Sequence, residues 1–403
     1  MIDPNRKISV HHIGDEHKEL LYKLAEEHGT PLFIVDHQQI ERQYAEFTTR
    51  LPNVQPYYAV KANPNPEIIK TLFDSGASFD VASIKEFNLV YENIKEMPEK
   101  ERLEWIKNNV IVANTIKPVE FLEELDKYSP LVTFDNGEEL KKIKAHSPHA
   151  RLILRIRVPN TGSLSELSSK FGADPGIAAN LITEAYVMGM KVEGLSFHVG
   201  SQCVNFENYI VALEICSRIL KEYYARTGQK MRILDVGGGF PVKYSDAVRS
   251  IRALAVLFTE ELKRLFPPDI IVIAEPGRFL VANACVLVSK VIGKAVRDGK
   301  TCYYINDGIY GTYSGLIFDH INYPILSFKE SENTKLSSVF GPTCDAFDTL
   351  TLSAELPDLN IGDLVYTENI GAYSISSSTS FNGLDPAKVL HINIDRRPID
   401  KTD

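Results

Sequence analysis

Apolar and polar positions along the chain follow two alternating periods. Short β-branched and aromatic runs at 56–61, 78–82, 110–113, 131–134, 151–158, 193–198, 232–236 and 270–275 have the composition of buried strands. Between most of them lie stretches with helical spacing: Glu67 to Phe73, Ile84 to Asn93, Pro118 to Lys127, Gly137 to Ala145, Gly176 to Met188, Phe206 to Thr227 and Asp246 to Phe266. Strands alternating with helices predict βαβ units and a parallel sheet. Eight strands in about 220 residues fit a (β/α)8 barrel, with an open doubly wound sheet as the alternative. Ahead of this rhythm come a helical pattern from Glu16 to His28 closed by Gly29, a strand pattern at Leu32–Asp36, and a polar helix from about Gln38 to Arg50.

Past Phe279 the texture changes. The runs Ala284 to Val291, Tyr303 to Ile305, Leu364 to Tyr366 and Val389 to Ile394 are short, and turn signals such as Arg297-Asp298-Gly299-Lys300 separate them. This predicts an antiparallel β domain following the α/β barrel. Residues 159–170 are the most loop-like interior stretch. A length of 403 residues accommodates two such domains. The net charge of −9 gives nucleic-acid binding no electrostatic support. No apolar run is long enough to span a membrane, and the polar start Met1–Lys7 lacks the apolar segment of a signal peptide. The five cysteines, Cys203, Cys216, Cys285, Cys302 and Cys344, form no CxxC pair, which suits a reducing cytoplasm rather than a disulfide framework or zinc site.

Barrel active sites lie at the C-terminal ends of the strands. The residues there are Lys61; Asp80 and Ser83; Asn114; Asp135; Arg155 and Arg157; His198, Gly200 and Ser201; Gly237, Gly238 and Gly239; and Glu275, Gly277 and Arg278. Lys61 is either a solvated strand-end charge or an amine held in a pocket. The Gly237–Gly239 triplet is either a tight turn or a backbone cradle for an anion, since glycine allows close approach of N–H groups. Glu275 ends an apolar strand, where a carboxylate is costly unless paired. Its partner is either Arg278 or a protonated ring nitrogen. Cys344 follows a Gly-Pro turn and precedes Asp345, so it is either a reactive exposed thiol or an inert buried one.

Taken together, Tyr58-Ala59-Val60-Lys61-Ala62-Asn63, Phe79-Asp80-Val81-Ala82-Ser83, Phe197-His198-Val199-Gly200-Ser201, Leu234-Asp235-Val236-Gly237-Gly238-Gly239-Phe240, Ala274-Glu275-Pro276-Gly277-Arg278, Gly341-Pro342-Thr343-Cys344-Asp345, Gly371-Ala372-Tyr373 and Phe381-Asn382-Gly383 form an ordered series. It resembles the fold-type III pyridoxal-phosphate decarboxylases, specifically the eukaryotic-type ornithine decarboxylase group. The resemblance implies an alanine racemase-like architecture. Residues 1–37 would contribute to the β domain, 38–279 would form the cofactor-binding barrel, and 280–403 the C-terminal β domain.

The resemblance also implies roles. Lys61 would carry pyridoxal phosphate on its amine. Ser201, Gly237, Gly238, Gly239, Gly277, Arg278 and Tyr373 would hold the phosphate, Glu275 would face the ring nitrogen and His198 would stack on the ring, with Asp80 and Arg155 also at the cofactor. A desolvated or cation-flanked Lys61 would be a neutral amine. Cys344 would donate a proton to the former α-carbon, and Asp319, Asp345, Tyr310, Tyr373 and Phe381 would line the substrate pocket. Catalysis would thus rest on Lys61, Glu275, His198 and Cys344, with no metal. Cys344 and Asp345 would come from the other subunit of a head-to-tail homodimer, and Lys170 and Asp348 match a pair bridging its interface.

The chain departs from the family at Phe318, where tyrosine is common, and at Ala346-Phe347, where the family has small residues. It also lacks the long C-terminal extension of mammalian members, so no degradation signal is expected there. The expected reaction is L-ornithine to putrescine and CO2 in polyamine biosynthesis. The alternatives are a lysine or dual lysine/ornithine decarboxylase, a diaminopimelate decarboxylase, an amino-acid racemase, or a regulatory homologue without catalysis.

Overall fold

The computed structural model describes residues 15–163, 169–244 and 248–394. The start Met1–Lys7, the beginning of the helical pattern at Asp246, and positions 164–168 of the loop-like stretch lie outside them. Strand β1 (Leu32–Asp36) precedes the barrel. The barrel strands are β2 (Val54–Ala59), β3 (Ser78–Asp80), β4 (Val110–Val112), β5 (Leu131–Phe134), β6 (Arg151–Ile156), β7 (Val192–Phe197), β8 (Ile233–Asp235) and β9 (Ile271–Ala274). They pair in parallel in chain order, and β9 pairs back onto β2, so the sheet is a closed barrel rather than an open one.

Tyr57, Ile111, Leu131, Ile153, Ile233 and Ile273 form a core cluster of their own, drawn from six of the eight strands. Neighbouring strand positions such as Tyr58, Phe79, Val112 and Val132 belong to a second, larger core that includes the surrounding helices. Truncating one such side chain to alanine costs about 2–5 kcal/mol, because the packed neighbours collapse only partly into the space.

The strand pattern ran to Lys61, but β2 ends at Ala59 and Lys61 sits in a 3-10 turn, Val60–Ala62. The turn closes through Asn63 N to Val60 O at 3.1 Å. Asn63 is fixed from both sides: the Tyr58 hydroxyl donates to its carbonyl at 2.9 Å, and its own amide donates to Gly371 O at 3.0 Å. Helix Glu99–Asn109 escaped the pattern because it is charged nearly all round and buries only Ile106.

After the barrel come β10 (Cys285–Arg297), β11 (Lys300–Ile305), β12 (Leu326–Ser327), β13 (Lys335–Phe340), β14 (Thr349–Leu356), β15 (Leu364–Thr367) and β16 (Lys388–Ile392). Their sheet runs β12-β15-β10-β11-β13-β14, with β1 joined to β10 and β16. It is mostly antiparallel; β1–β16 and β11–β13 are parallel. The first half of β10 pairs with β1 and β15 and its second half with β11, across a register shift between Val291 and Gly293. The segment after β15 returns to the barrel mouth, where Tyr373 N donates to Ala62 O at 2.9 Å. The site therefore forms where the two domains meet. Among the described residues no helix is long and apolar enough to cross a membrane.

Candidate active site

Lys61 leans across the mouth from β2 to the end of β3, where its Nζ meets Asp80 Oδ2 at 2.5 Å. The lysine side chain is 42% exposed and the Asp80 side chain 1%. Asp80 is held by Ala113 N, which donates to its Oδ1 at 3.2 Å. Burial alone would push the Lys61 ammonium down, but Asp80, with Tyr373 and Glu275, more than reverses this and raises it above the ordinary value. This corrects the expectation of a neutral amine: the flanking groups are anions, not cations. Glu86, absent from the predicted site, faces the same pair. Ser83 caps the helix Ile84–Tyr91 by accepting from Glu86 N, and Glu86 reaches back to Ala82 N at 2.7 Å. The Ser83-x-x-Glu86 capping box was the available sequence signal.

Gly237, Gly238 and Gly239 leave β8 with φ of +63° at Gly237 and +93° at Gly239. A Cβ on Gly237 would strike Phe197 O, on Gly238 the Glu275 carbonyl and His198 Nε2, and on Gly239 the Gly200 carbonyl. The close approach requires glycine at all three positions. Gly277 is similarly enclosed, by Ala62, Ala59 and the Tyr373 hydroxyl. Past the end of β9 lies the buried Arg278. It donates to Ser201 Oγ at 2.9 Å, to the Tyr244 hydroxyl at 3.2 Å and to Asp319 Oδ2, and packs over the Tyr373 ring at 4.9 Å. Ser201 Oγ also reaches Asp319 Oδ1 at 3.4 Å. Arg278 Nε has no partner among the described residues. Desolvation works against its charge, but Tyr244, Asp319 and Tyr373 hold it firmly cationic. Tyr244 was not a predicted site residue.

Between lysine and cradle lies an acidic floor. Glu275 and Asp235 are both buried, and their carboxyls lie against each other. Burial raises both acids, and Glu275 raises Asp235 further. His198 Nδ1 accepts from Gly200 N at 3.0 Å; burial, then Arg155 and Lys61, push its basicity well down, so the ring is neutral. Arg155 lies over the Phe171 ring at 5.2 Å.

The remaining predicted residues form a second cluster. Asp345 accepts from the Tyr310 hydroxyl and, at 3.0 Å, from Phe347 N; Tyr310 stacks on Phe381 at 4.3 Å. Cys344 is the one exposed cysteine of the five, and its N–H donates to Asn382 Oδ1 at 3.2 Å. The Tyr310 hydroxyl, then the Phe347 N–H, hold the Asp345 carboxyl below its ordinary value. Asp319, expected at the distal amine of the substrate, sits with Arg278 and Ser201. Asp348 is 2% exposed and accepts from Ile309 N, Thr343 N and Thr343 Oγ1, so in this chain it pins its own loop. Lys170 packs over the Phe171 ring at 5.0 Å.

The family model "Pyridoxal-dependent decarboxylase, pyridoxal binding domain" matches residues 37–282, and the chain belongs to that family. Antizyme inhibitor 2 of Xenopus laevis is 37% identical over 89% of this chain and 80% of its own length. Ornithine decarboxylase of Schizosaccharomyces pombe is 33% identical over 90% and 83%. Among solved structures, lysine/ornithine decarboxylase of Vibrio vulnificus complexed with cadaverine superposes with a TM-score of 0.86 at 35% identity, covering 94% of this chain and 99% of that one. The Paramecium bursaria Chlorella virus arginine decarboxylase has a TM-score of 0.86 at 31% identity, covering 93% and 100%. The enzyme is a pyridoxal-phosphate-dependent carboxy-lyase. Its residues fit the cofactor: an enclosed glycine cradle, a buried guanidinium whose Nε has no partner among the described residues, and a lysine amine at the same barrel mouth.

Proposed function

We propose that this enzyme decarboxylates a basic L-amino acid, with L-ornithine to putrescine and CO2 as its main reaction and L-lysine to cadaverine as a weaker or comparable one. The observation that carries this reading is the convergence at one barrel mouth of the Lys61 amine, the Gly237–Gly239 and Arg278 cradle, and the buried Glu275. Bound pyridoxal phosphate supplies the electron sink for the carbon that loses CO2. Lys61 is the amine that holds the cofactor, and Asp80 keeps it oriented. Arg278, Ser201, Tyr373, Gly277 and the triplet hold the phosphate end, as charge-assisted donors and close backbone do best. Glu275 places negative charge at the ring nitrogen, with Arg155 near it. Neutral His198 offers a flat face without a competing charge.

Two carboxylates select the distal ammonium of the substrate. Asp319 already has Arg278 as its cation, so Asp345 is the stronger electrostatic partner; Tyr310 and Phe381 wall the alkyl chain. Cys344, exposed on the same loop, delivers a proton to the substrate α-carbon. A head-to-tail homodimer brings one protomer's Cys344–Asp345 loop to its partner's barrel. The exposed Phe347, Phe318 and Leu384 suit burial there. Five unpaired cysteines suit a cytoplasmic location. A regulatory homologue is the weaker reading, since Lys61, Glu275, Cys344 and Asp345 are all retained.

The test is a competition assay with ornithine, lysine, arginine and diaminopimelate. Ornithine and lysine differ by one methylene, worth only about 1–3 kcal/mol in an apolar pocket. Arginine's planar guanidinium wants a different fork, and diaminopimelate's second carboxylate would be repelled by Asp345. Asp345→Ala is expected to raise KM strongly for both diamino acids, because the ammonium loses its partner. Preference of the wild type for arginine or diaminopimelate would refute the assignment.

A further inference from the structure

Asp235 ends β8 directly beneath the glycine triplet and is fully buried. One oxygen, Oδ1, accepts from Gly237 N at 2.9 Å. The other, Oδ2, meets no hydrogen-bond donor among the described residues. What lies beside it is the Glu275 carboxyl, itself an acceptor when ionised. Among the described residues, the titratable groups that act most strongly on Asp235 are Glu275 and Asp80, and Asp235 acts in turn on Tyr57 and Cys216; none of these is a cation. Of the cations that act on the floor, Lys61 is paired with Asp80, and Arg155 and Lys61 act on Glu275.

Two adjacent buried carboxylates repel each other, the cations nearby act on Glu275 rather than on Asp235, and an acceptor oxygen left without a donor is costly. One proton removes both problems. Oδ1 is already fixed as the accepting, carbonyl-like oxygen, so the proton belongs on Oδ2. We propose that Asp235 is a neutral carboxylic acid in the working enzyme, a positioning residue whose Oδ2 hydroxyl donates to Glu275 and leaves the single negative charge on Glu275. This rests on the reading that Glu275 faces the ring nitrogen. The same acid orients both ends of the cofactor site: through Oδ1 it ties down the Gly237 N–H and so fixes the backbone where the glycine triplet begins, and through Oδ2 it fixes the Glu275 carboxylate. Burial, which disfavours charge, points the same way.

Asparagine imitates a neutral acid here, since its amide oxygen accepts from Gly237 N and its NH2 donates to Glu275. The experiment compares holoenzymes of the wild type, Asp235→Asn, Asp235→Ala and Glu275→Gln. Pyridoxal phosphate affinity is measured by fluorescence titration, kcat by assay, and carboxylic-acid C=O stretches by infrared difference spectroscopy. Asp235→Asn is expected to keep cofactor affinity and kcat within about threefold while losing one protonated-carboxyl band, whereas Asp235→Ala loses about tenfold or more in affinity, the scale of one buried hydrogen bond. Asp235→Asn falling as far as Asp235→Ala, wild-type behaviour of Asp235→Ala, or absence of that band from the wild type would overturn the proposal. The asparagine and infrared results stand even where the alanine variant does not fold. Wild-type turnover in Glu275→Gln would overturn the ring-nitrogen reading and the inference with it. A Glu275→Gln loss accompanied by an Asp235→Asn loss overturns the inference alone.

Discussion

At the scale of single residues the site is organised by which charges face each other. Lys61 sits on Asp80 at 2.5 Å and is held in its ammonium form. An ammonium is not a nucleophile, so capturing the cofactor's aldehyde requires that its proton first leave. Uptake of pyridoxal phosphate by cofactor-stripped enzyme should therefore speed up as pH rises, because the raised basicity of Lys61 leaves little free amine near neutrality. Asp80→Asn removes the nearest anion and lowers the Lys61 proton affinity. Stopped-flow absorbance should then show the pH profile of uptake displaced to lower pH, with faster uptake at pH 7. Lys61→Ala should show no covalent uptake at any pH and lose turnover by orders of magnitude. An unmoved profile in Asp80→Asn would mean that the ion pair does not govern the amine.

At the scale of elements, the join between β1 and β16 carries a titratable contact of its own. His37, buried just after β1, meets Thr71 Oγ1 at 2.5 Å through Nδ1 and His391 Nδ1 on β16 at 2.8 Å through Nε2. Burial, then the neighbouring His391, push His37 down to about 4, with Asp36 acting weakly the other way. Glu67 faces His391. The unfolded chain protonates His37 near 6.5, so the folded state binds fewer protons between pH 6.5 and 4. Stability is intact above 6.5 and is lost as pH falls through that window, by roughly 3 kcal/mol if the full shift is realised. Melting temperatures should fall more steeply with acid in the wild type than in His37→Gln; parallel curves would exclude the pair as the cause. Nothing local in the sequence announces this contact, since 354 residues separate its partners. The barrel, in contrast, was legible, because each strand is a short apolar run closed by a polar or glycine end. The strands β13 and β14 were not, since Lys335-Leu336-Ser337-Ser338 carries too few apolar positions to read as a strand without its neighbours.

At the scale of the whole molecule, the sequence marked candidate site residues but could not say which of them meet. Lys61, Asp80, Glu275 and Arg278 were readable because each lies at or just past the end of a barrel strand, and barrel closure brings strand ends together whatever their separation. The Arg278–Asp319 contact depends on how the second domain docks, and the meeting of Cys344 and Asp345 with Lys61 belongs to the proposed homodimer. That proposal makes the last prediction. If each site joins a barrel from one protomer to a Cys344 loop from the other, two-fold symmetry gives every dimer two such sites. Lys61→Ala disables the barrel half and Cys344→Ala the loop half, so each variant alone is inactive at both sites. After mixing and subunit exchange, a hybrid dimer carries both lesions in one site and neither in the other. Random exchange makes half the dimers hybrid, each with one intact site of two, so the mixture should recover about a quarter of wild-type activity. Native mass spectrometry of differently sized variants measures the hybrid fraction, and the recovered activity should rise in proportion to it. Hybrids formed without activity would show that each chain completes its own site, and would return Cys344 to the role of an exposed surface thiol.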